Sequence, residues 1–452
     1  MGKTITIRRG YDIKLKGAAE KNIQDIPLSD VVAVKPPDFS LVVPKMLVEA
    51  GDEVLAGQAL FFDKNRPDIR IPSPVSGEIA EIVRGEKRRI MEVRIIPDKK
   101  LKYQDFKTGS PDKLDRESVI KHLLDSGVWN YIRQRPFSII ANHEDVPKAI
   151  FVSCFDSAPL APDLNFVIES DKENFQTGLH VLQTLAQGNL HVCLQKGFQE
   201  TLAGLTNQLP DTNKHQISGP HPAGNVGIQI HHILPIQHKN DIVWYVNPQD
   251  VLIIGRLFAE GKYRAERLVA LTGSSVSKPS YMRMISGQKL ASVLDQALNT
   301  DHVRVIQGNV LSGKKSSQSD FLSFYVNQLT VIPEGDQPEF LGWLLPGFHK
   351  LSLSRTYFSW LSPNRKYNLD TNMHGELRAF VMTGQYDRVL PMNIYPVILL
   401  KAILAGDIEK MEALGIYEIA EEDFALCEFV CTSKIPVQNI VTQGLTLARE
   451  EG

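Results

Sequence analysis

A run of aromatic and basic side chains between residues 129 and 143 is the part of this sequence best suited to bind a ligand. It contains Trp129, Tyr131, Arg133, Arg135, Phe137 and His143. The aromatic rings can flank a planar ring, and the cationic side chains can donate hydrogen bonds to carbonyl oxygens and stabilise a reduced, anionic form of the ligand. The run is therefore a candidate site for a planar ligand that carries hydrogen-bond acceptors. The alternative is that the rings fill a core and the arginines form salt bridges.

Residues 43–79 have the pattern of a carrier domain without its chemistry. GDEVLAGQAL, followed by a Ser-Pro and a Gly, resembles the barrel-sandwich fold of biotinyl and lipoyl carriers, in which a lysine at a hairpin tip holds the cofactor. Counted from Gly57, the position of the carrier lysine holds Arg66. Pro74 corresponds to the proline in the second half of the carrier domains. Arginine cannot form the amide, and Lys64 is out of register. We therefore predict a structural domain with no covalent group.

Two shorter patterns suggest phosphate or cluster binding, but both are incomplete. Residues 308–316, GNVLSGKKS, approach the phosphate-binding loop, yet Lys315 replaces the magnesium-binding hydroxyl and strand-forming residues follow. We interpret this segment as a turn in a β module. Cys427 and Cys431 lie on a predicted helix, and two thiolates do not hold an iron–sulfur cluster, so we interpret them as core residues.

Four histidines are close together in the sequence: His221, His231, His232 and His238. On a predicted strand, His231 and His232 would point to opposite faces, and no cysteine or aspartate spacing completes a metal-binding set. We therefore predict that these histidines bind no metal. The sequence also contains no nucleophile elbow and nothing that supports a Ser/His/Asp triad, so we predict no catalytic residues in the chain.

The composition is that of a globular protein with several domains. The chain has 452 residues, of which 23% are charged, and a net charge of −2, which argues against nucleic-acid binding. Four cysteines fit a reducing compartment. The first residues lack the apolar core of a signal peptide, and polar residues or prolines interrupt the most apolar run, 389–405. We expect no membrane span, so any membrane role would be peripheral.

Hydrophobic periodicity predicts the order of the structural elements. Short strands follow one another up to residue 96, and residues 5–13 predict an edge strand. Helical and buried-strand patterns then alternate up to about residue 260, which favours a parallel α/β layer. A β-rich module extends from residue 267 to about 331, and helical patterns dominate from residue 392.

Nine stretches spread over nearly the whole chain match one family in combination: IRRGYDIKLKG, PKMLVEAGDEVLAGQALFFDK, SGVWNYIRQRPFS, GPHPAGNVGIQIH, QDVLIIGRLFAEGKY, ERLVALTG, GNVLSG, FLGWLLPG and ALCEFVC. Through them the chain resembles the A subunits (NqrA) of sodium-translocating NADH:quinone reductases, bacterial respiratory translocases. The resemblance implies a peripheral subunit at the cytoplasmic face of the inner membrane, on the quinone-reducing side. Its partners would be five membrane and flavin subunits, through which it contacts the membrane.

The family fold is similar to the C subunit of the Rnf complex and the flavin-binding subunit of complex I. The resemblance implies a multi-domain α/β and β protein. We expect a barrel-sandwich domain at 1–105 and a Rossmann-like α/β domain at 106–262. A ubiquitin-like β-grasp module at 263–332 and a linker with a C-terminal helical domain at 333–452 would follow.

Three cofactor loci of those relatives are changed here. Their glycine-rich flavin loop is replaced by VWNYIRQRPF, through which a backbone cannot close on a phosphate. Their Cys-Glu-Pro becomes CFDSAPL, and their cysteine series is reduced to Cys427 and Cys431. We expect no flavin, NADH or iron–sulfur cluster, and expect quinone to be the ligand of residues 129–143. The alternative is an electron-input flavoprotein of an Rnf-type complex.

The aromatic and partly basic stretch from Phe340 to Tyr367 is the predicted docking surface for partner subunits. The alternative is that Trp343, Phe348 and Trp360 fill a small core of their own.

Overall fold

The computed structural model describes residues 2–109, 113–198, 204, 213–336, 339–342 and 344–452. The strands form sheets of seven, six, four and three strands. The first two strands join sheets that are built mainly from later parts of the chain. Strand β1 (Thr4–Thr6) pairs in parallel at one edge of the seven-stranded sheet, and β2 (Glu20–Asp25) pairs in parallel at one edge of the six-stranded sheet. The edge strand predicted for residues 5–13 is therefore shorter than expected.

The N-terminal domain consists of two small antiparallel sheets. One contains β3 (Val32–Val34), β5 (Glu53–Val54), β8 (Gly77–Arg84) and β9 (Ile90–Pro97), and the other contains β4 (Pro44–Met46), β6 (Ala59–Asp63) and β7 (Arg66–Pro72). In β7, Ile69 and Ile71 are fully buried while Asp68 and Arg70 are exposed. This alternation places one face of each strand in a shared core, as the apolar pattern predicted.

The second domain is a seven-stranded sheet with helices on both faces. Its elements are α1 (Arg116–Asp125), β10 (Arg133–Arg135), β11 (Ile139–Ile140), β12 (Ile150–Cys154), α2 (Leu164–Glu169), α3 (Lys172–Leu185), β13 (Leu190–Gln195), β14 (Lys214–Ser218), α4 (Val226–Ile233), β15 (Val243–Val246) and α5 (Pro248–Glu260). The sheet order is β1-β14-β13-β12-β15-β10-β11. Strands β1 and β12 to β15 run in parallel, whereas β10 is antiparallel to β15 and to β11.

Both faces of this sheet are buried, which explains its nearly continuous apolar strands. Ile150 and Val152 of β12 contact the core shared with the N-terminal domain, and Phe151 between them contacts the core shared with the C-terminal helices. Asp115 caps the N-terminus of helix α1, because its carboxylate accepts from the Ser118 amide. Our strand prediction for His231 and His232 is wrong, because both lie on α4.

The third domain is the six-stranded sheet with one short helix. It contains β16 (Glu266–Thr272), β17 (Ser280–Ile285), α6 (Ala291–Ala297), β18 (Val303–Gln307), β19 (Lys314–Ser316) and β20 (Gln328–Pro333), in the sheet order β19-β18-β20-β16-β17-β2. The segment that approaches a phosphate-binding loop is the hairpin between β18 and β19. The interpretation as a turn is therefore confirmed.

The C-terminal region is helical, as its periodicity predicted. Its helices are α7 (Gln385–Val389), α8 (Pro396–Ala405), α9 (Ile408–Ala413), α10 (Ala425–Val430) and α11 (Val437–Glu451). Helix α8 ends at Gly406 in the left-handed conformation, and the Asp407 carboxylate caps α9. Cys427 and Cys431 are buried free thiols in this core. Among the residues described, every helix is too short or too polar to span a bilayer.

Candidate functional site

The run from residue 129 to 143 folds as a short helical turn followed by the hairpin β10–β11. A 3-10 turn covers Val128–Tyr131, and Gly127 before it adopts φ +71°. A Cβ at Gly127 would lie 2.6 Å from Pro72 of β7, so the backbone here packs directly against the N-terminal domain. This close approach requires glycine at position 127. The run therefore lies where the second domain contacts the N-terminal domain.

Trp129 and His143 lie side by side. Trp129 is buried, donates from Nε1 to the Ala141 carbonyl at 2.8 Å, and packs edge-on against His143 at 6.3 Å between ring centroids. Trp244 also packs against Trp129, with 5.4 Å between the two ring centroids. His143 is partly exposed, and its Nε2 is 3.8 Å from a carboxylate oxygen of Asp68.

Tyr131 points to a different cluster, which includes residues from the third domain. Its ring stacks on Phe324 at 4.6 Å, and its hydroxyl is hydrogen-bonded to that of Tyr263 at 2.8 Å. Phe324 in turn packs against Phe39 at 4.7 Å. Burial raises the pKa of Tyr131 well above its ordinary value, so the phenol stays neutral.

Arg133 and Phe137 are the members of the run that are partly open to solvent near the hairpin. The Arg133 guanidinium lies over the rings of Tyr245 and Tyr325, at 5.7 and 5.1 Å from their centroids, and donates to the Ser138 carbonyl at 2.5 Å. Phe137 packs edge-on against Tyr417 of the C-terminal region. Arg133 thus keeps its charge next to two aromatic faces.

Arg135 is directed into the interface with the C-terminal helices. It is buried, and its Nη2 lies 2.5 Å from Glu422 while its Nη1 lies 3.6 Å from Asp423. Asp423 also accepts from Asn225 at the start of α4. Burial, partly offset by Arg135, raises the pKa of Asp423 to about 7. The salt bridge that we considered as the alternative for the arginines is present at Arg135.

The structure therefore brings Trp129 together with His143 and directs Tyr131 to the third domain. Arg133 and Arg135 share the ring of Tyr245, over which both guanidinium groups lie at 5.7 and 5.6 Å from the centroid. The sequence analysis did not identify the aromatic residues that complete these clusters, which are Tyr245, Tyr263, Phe324 and Tyr325. Phe324 and Tyr325 lie in the third domain, nearly 200 residues from the run. No local spacing signals such a contact.

The carboxyl ends of β12 and β15, where parallel α/β sheets commonly bind nucleotides, are covered by the third domain. The Gln249 side chain pairs with the backbone of Leu268 through two hydrogen bonds of 2.7 and 2.8 Å. Gln328 donates to the Pro159 carbonyl at 3.1 Å, which adds a contact beyond β12. The backbone of β16 and the Gln328 side chain of β20 therefore contact the segments that follow these strand ends.

Comparisons with known proteins agree with this domain order. Three family models match, described as an NqrA N-terminal barrel-sandwich hybrid domain at residues 5–98, an NqrA second alpha/beta domain at 114–263 and an NqrA C-terminal domain at 268–318. The A subunit of the Na(+)-translocating NADH-quinone reductase from Yersinia pestis is 38% identical over 451 residues, which cover 99% of this chain and 100% of the relative. The chain belongs to the NqrA family.

Other members of the NqrA family align over the same length. The NqrA sequences from Hahella chejuensis and Vibrio anguillarum are 38% and 37% identical, again over 99% of this chain and 100% of each relative. The family assignment made from the sequence, the barrel-sandwich domain and the second α/β domain are thereby confirmed. Among solved structures, an NAD+-reducing [NiFe]-hydrogenase matches 52% of this chain and 52% of its own, with 12% identity and a TM-score of 0.36.

Proposed function

We propose that this chain is the A subunit of a sodium-translocating NADH:quinone reductase. The observation that carries the proposal is its end-to-end match to relatives of that name. The chain would act as a peripheral subunit on the quinone-reducing side, at the cytoplasmic face of the inner membrane. Its partners would be the five other subunits, and its contact with the membrane would run through them.

The finer fold assignments belong to the same proposal. The Rossmann-like assignment is supported by the parallel strand order β14-β13-β12-β15, in which the order reverses between β12 and β15. In the third domain, β16 and β20 form a central parallel pair with antiparallel neighbours on both sides, as in a β-grasp sheet. The domain limits at residues 105, 262 and 332 remain our prediction.

We place the quinone contact on residues 129–143. Arg133, Phe137 and His143 are the members that a ligand can reach, because each is partly exposed. Arg133 and His143 supply donors for carbonyl oxygens, and Arg133 supplies a cation for the reduced, anionic form. The buried members Trp129 and Tyr131 would support the segment from below, and Arg135 would hold it to the C-terminal helices.

A kinetic experiment on the assembled complex tests this assignment. Arg133→Gln, Arg135→Gln and His143→Gln are compared one at a time, with Arg283→Gln as a distant control. We expect Arg133→Gln and His143→Gln to raise the quinone KM without slowing flavin reduction by NADH. We expect Arg135→Gln to weaken assembly of the complex. Normal assembly of the variants with an unchanged quinone KM would place the quinone elsewhere in the complex.

The stretch from Phe340 to Tyr367 is our proposed docking surface for partner subunits. Phe340 is 89% exposed, and about half of the side chains of Phe348 and Trp360 is exposed, so neither of the latter two fills a core of its own. Trp343 lies outside the described residues. A group of exposed apolar side chains of this kind commonly marks an interface between proteins.

The electron-input flavoprotein gains no support. The relatives bear the name of an NADH-quinone reductase component, and the strand ends that would hold a nucleotide carry contacts to the third domain. We therefore keep the prediction that the chain holds no flavin, NADH or iron–sulfur cluster of its own.

A further inference from the structure

The hairpin between β6 and β7 has a buried carboxylate at the base of its turn. Asp63 is 1% exposed and accepts from three donors: the Val43 amide at 3.1 Å, the Asn65 amide at 3.2 Å and the Arg66 Nε at 3.1 Å. A buried carboxylate is tolerated when it is paired and hydrogen-bonded in this way. The Arg66 guanidinium is consequently held in one orientation.

The held guanidinium reaches the next domain. Arg66 Nη1 donates to the Ile140 carbonyl at 3.0 Å. Ile140 lies on β11, directly opposite Arg133 in the β10–β11 ladder. Arg66 is therefore hydrogen-bonded to the strand that pairs with Arg133.

Two further residues of β7 contact the same run. A carboxylate oxygen of Asp68 lies 3.8 Å from His143 Nε2, and the Arg70 carbonyl accepts from the Asn130 side chain at 2.7 Å. Three alternate positions of β7 thus contact the run from 130 to 143: Arg66 and Asp68 through their side chains, and Arg70 through its backbone carbonyl. The contacts form one continuous edge between the domains.

We propose that Arg66 is a positioning residue for the quinone contact, acting through Ile140 and Arg133. The hairpin tip that carries a cofactor in biotinyl and lipoyl carriers would here hold a ligand-binding segment in place. This inference rests on the proposed function, because it assigns Arg66 to the site placed on residues 129–143. Arg66 itself does not touch the quinone.

The role requires arginine and not just a positive charge. Nε binds Asp63 while Nη1 binds the Ile140 carbonyl, so the planar guanidinium spans two acceptors. A lysine ammonium is a single point charge on a flexible stem and does not reproduce that fork. Arg66→Lys should therefore resemble Arg66→Ala more than the wild type.

The test uses the assembled reductase and a short-chain ubiquinone. Arg66→Ala and Arg66→Lys are compared with Arg70→Ala, a matched control on the same strand, whose contact with Asn130 uses the backbone carbonyl and survives the change. We expect both Arg66 variants to raise the quinone KM by up to about tenfold, the scale of one charge-assisted hydrogen bond. Flavin reduction by NADH and kcat at saturating quinone should stay at the wild-type values, as should all parameters of Arg70→Ala.

The outcomes separate this inference from the proposed function. An unchanged KM in both Arg66 variants, alongside a raised KM in Arg133→Gln, would overturn the positioning role and leave the quinone site in place. An unchanged KM in Arg133→Gln and His143→Gln would instead remove the site itself. If Arg66→Ala fails to assemble, Arg66→Lys retains the charge and most of the length, and a wild-type KM in that variant would refute the role.

Discussion

Arg267 of β16 and Asp250 of α5 form a buried ion pair that joins the third domain to the second. Arg267 Nη2 lies 2.9 Å from Asp250 Oδ1, and the two side chains are 0% and 5% exposed. Burial raises the pKa of Asp250 to about 6, although Arg267 opposes the shift. The pair lies beside the carboxyl end of β15, so the junction covers the edge of the sheet where nucleotides commonly bind.

Removing one partner of this pair should strongly destabilise the protein. Arg267→Met leaves Asp250 buried without its cation, and loss of one partner of a buried pair typically costs about 3–5 kcal/mol. Arg283→Ala is the control, because its pair with Asp25 is exposed and should contribute about 0–1 kcal/mol. Denaturant unfolding of the isolated chain measures both. Equal effects of the two changes would contradict the structural role of the buried pair.

The N-terminal domain should carry no covalent cofactor. Arg66 occupies the position of the carrier lysine and is engaged with Asp63 and Ile140, and arginine cannot form the amide. After expression with biotin and lipoate supplied, the intact mass should equal that of the bare polypeptide. A mass increment of a biotinyl or lipoyl group would contradict this prediction.

Titration with FMN should show no stoichiometric binding to the isolated chain. Trp129 and Tyr131 stand where a glycine-rich loop would be needed, and Leu268 and Gln249 pair across the carboxyl end of the sheet. The visible spectrum of the protein should stay flat after FMN is added and removed by gel filtration. A retained flavin band at one equivalent would restore the electron-input alternative.

Stability should fall as the pH drops from about 6.5 towards 4, in part because of two neighbouring histidines. The Lys3 amide donates to His215 Nδ1, His215 Nε2 lies 2.8 Å from His191 Nδ1, and His191 Nε2 lies 3.0 Å from the Asn189 side-chain oxygen. This order of partners fits two neutral rings. Burial lowers the pKa of each histidine to about 4.

The unfolded chain therefore binds more protons than the folded chain between pH 6.5 and 4. The two neutral histidines stabilise the folded state fully above pH 6.5, and this contribution is lost as the pH falls towards 4. We expect the pair to account for at least about 1 kcal/mol between pH 7 and 5, since His215 is buried while His191 is partly open to solvent. His191→Asn should flatten this part of the pH–stability curve. Parallel curves for variant and wild type would assign the pH dependence to other groups.

Polar substitutions on the exposed apolar stretch should impair assembly but not folding. Phe340→Ser and Leu344→Ser change side chains that are 89% and 63% exposed, so the free energy of unfolding should move by no more than about 0.5 kcal/mol. Incorporation into the complex, measured by co-purification with the other subunits, should drop. Val146→Ser, a 68% exposed control in the second domain, should incorporate normally. Full incorporation of all three would move the docking surface elsewhere.

Local patterns predicted the elements of this fold well. Alternating residues such as Ile69 and Ile71 identified half-buried strands, and Asp115, Gly406 and Asp407 marked helix ends, because these signals depend only on neighbours within one or two turns. The same reasoning placed α4 wrongly. Its two histidines follow a loop rich in glycine and proline, and the eight-residue helix is too short to show a clear period.

The sequence by itself determined the family, the domain order and the loss of the carrier lysine, since each depends on residue identity at defined positions. Tertiary structure alone decided the surroundings of the candidate site. Tyr131 meets Phe324 and Arg135 meets Asp423 across domain boundaries, and Arg66 reaches Ile140 from another sheet. Periodicity describes which face of an element is buried. Which distant element covers that face depends on how the domains pack, and no local spacing records it.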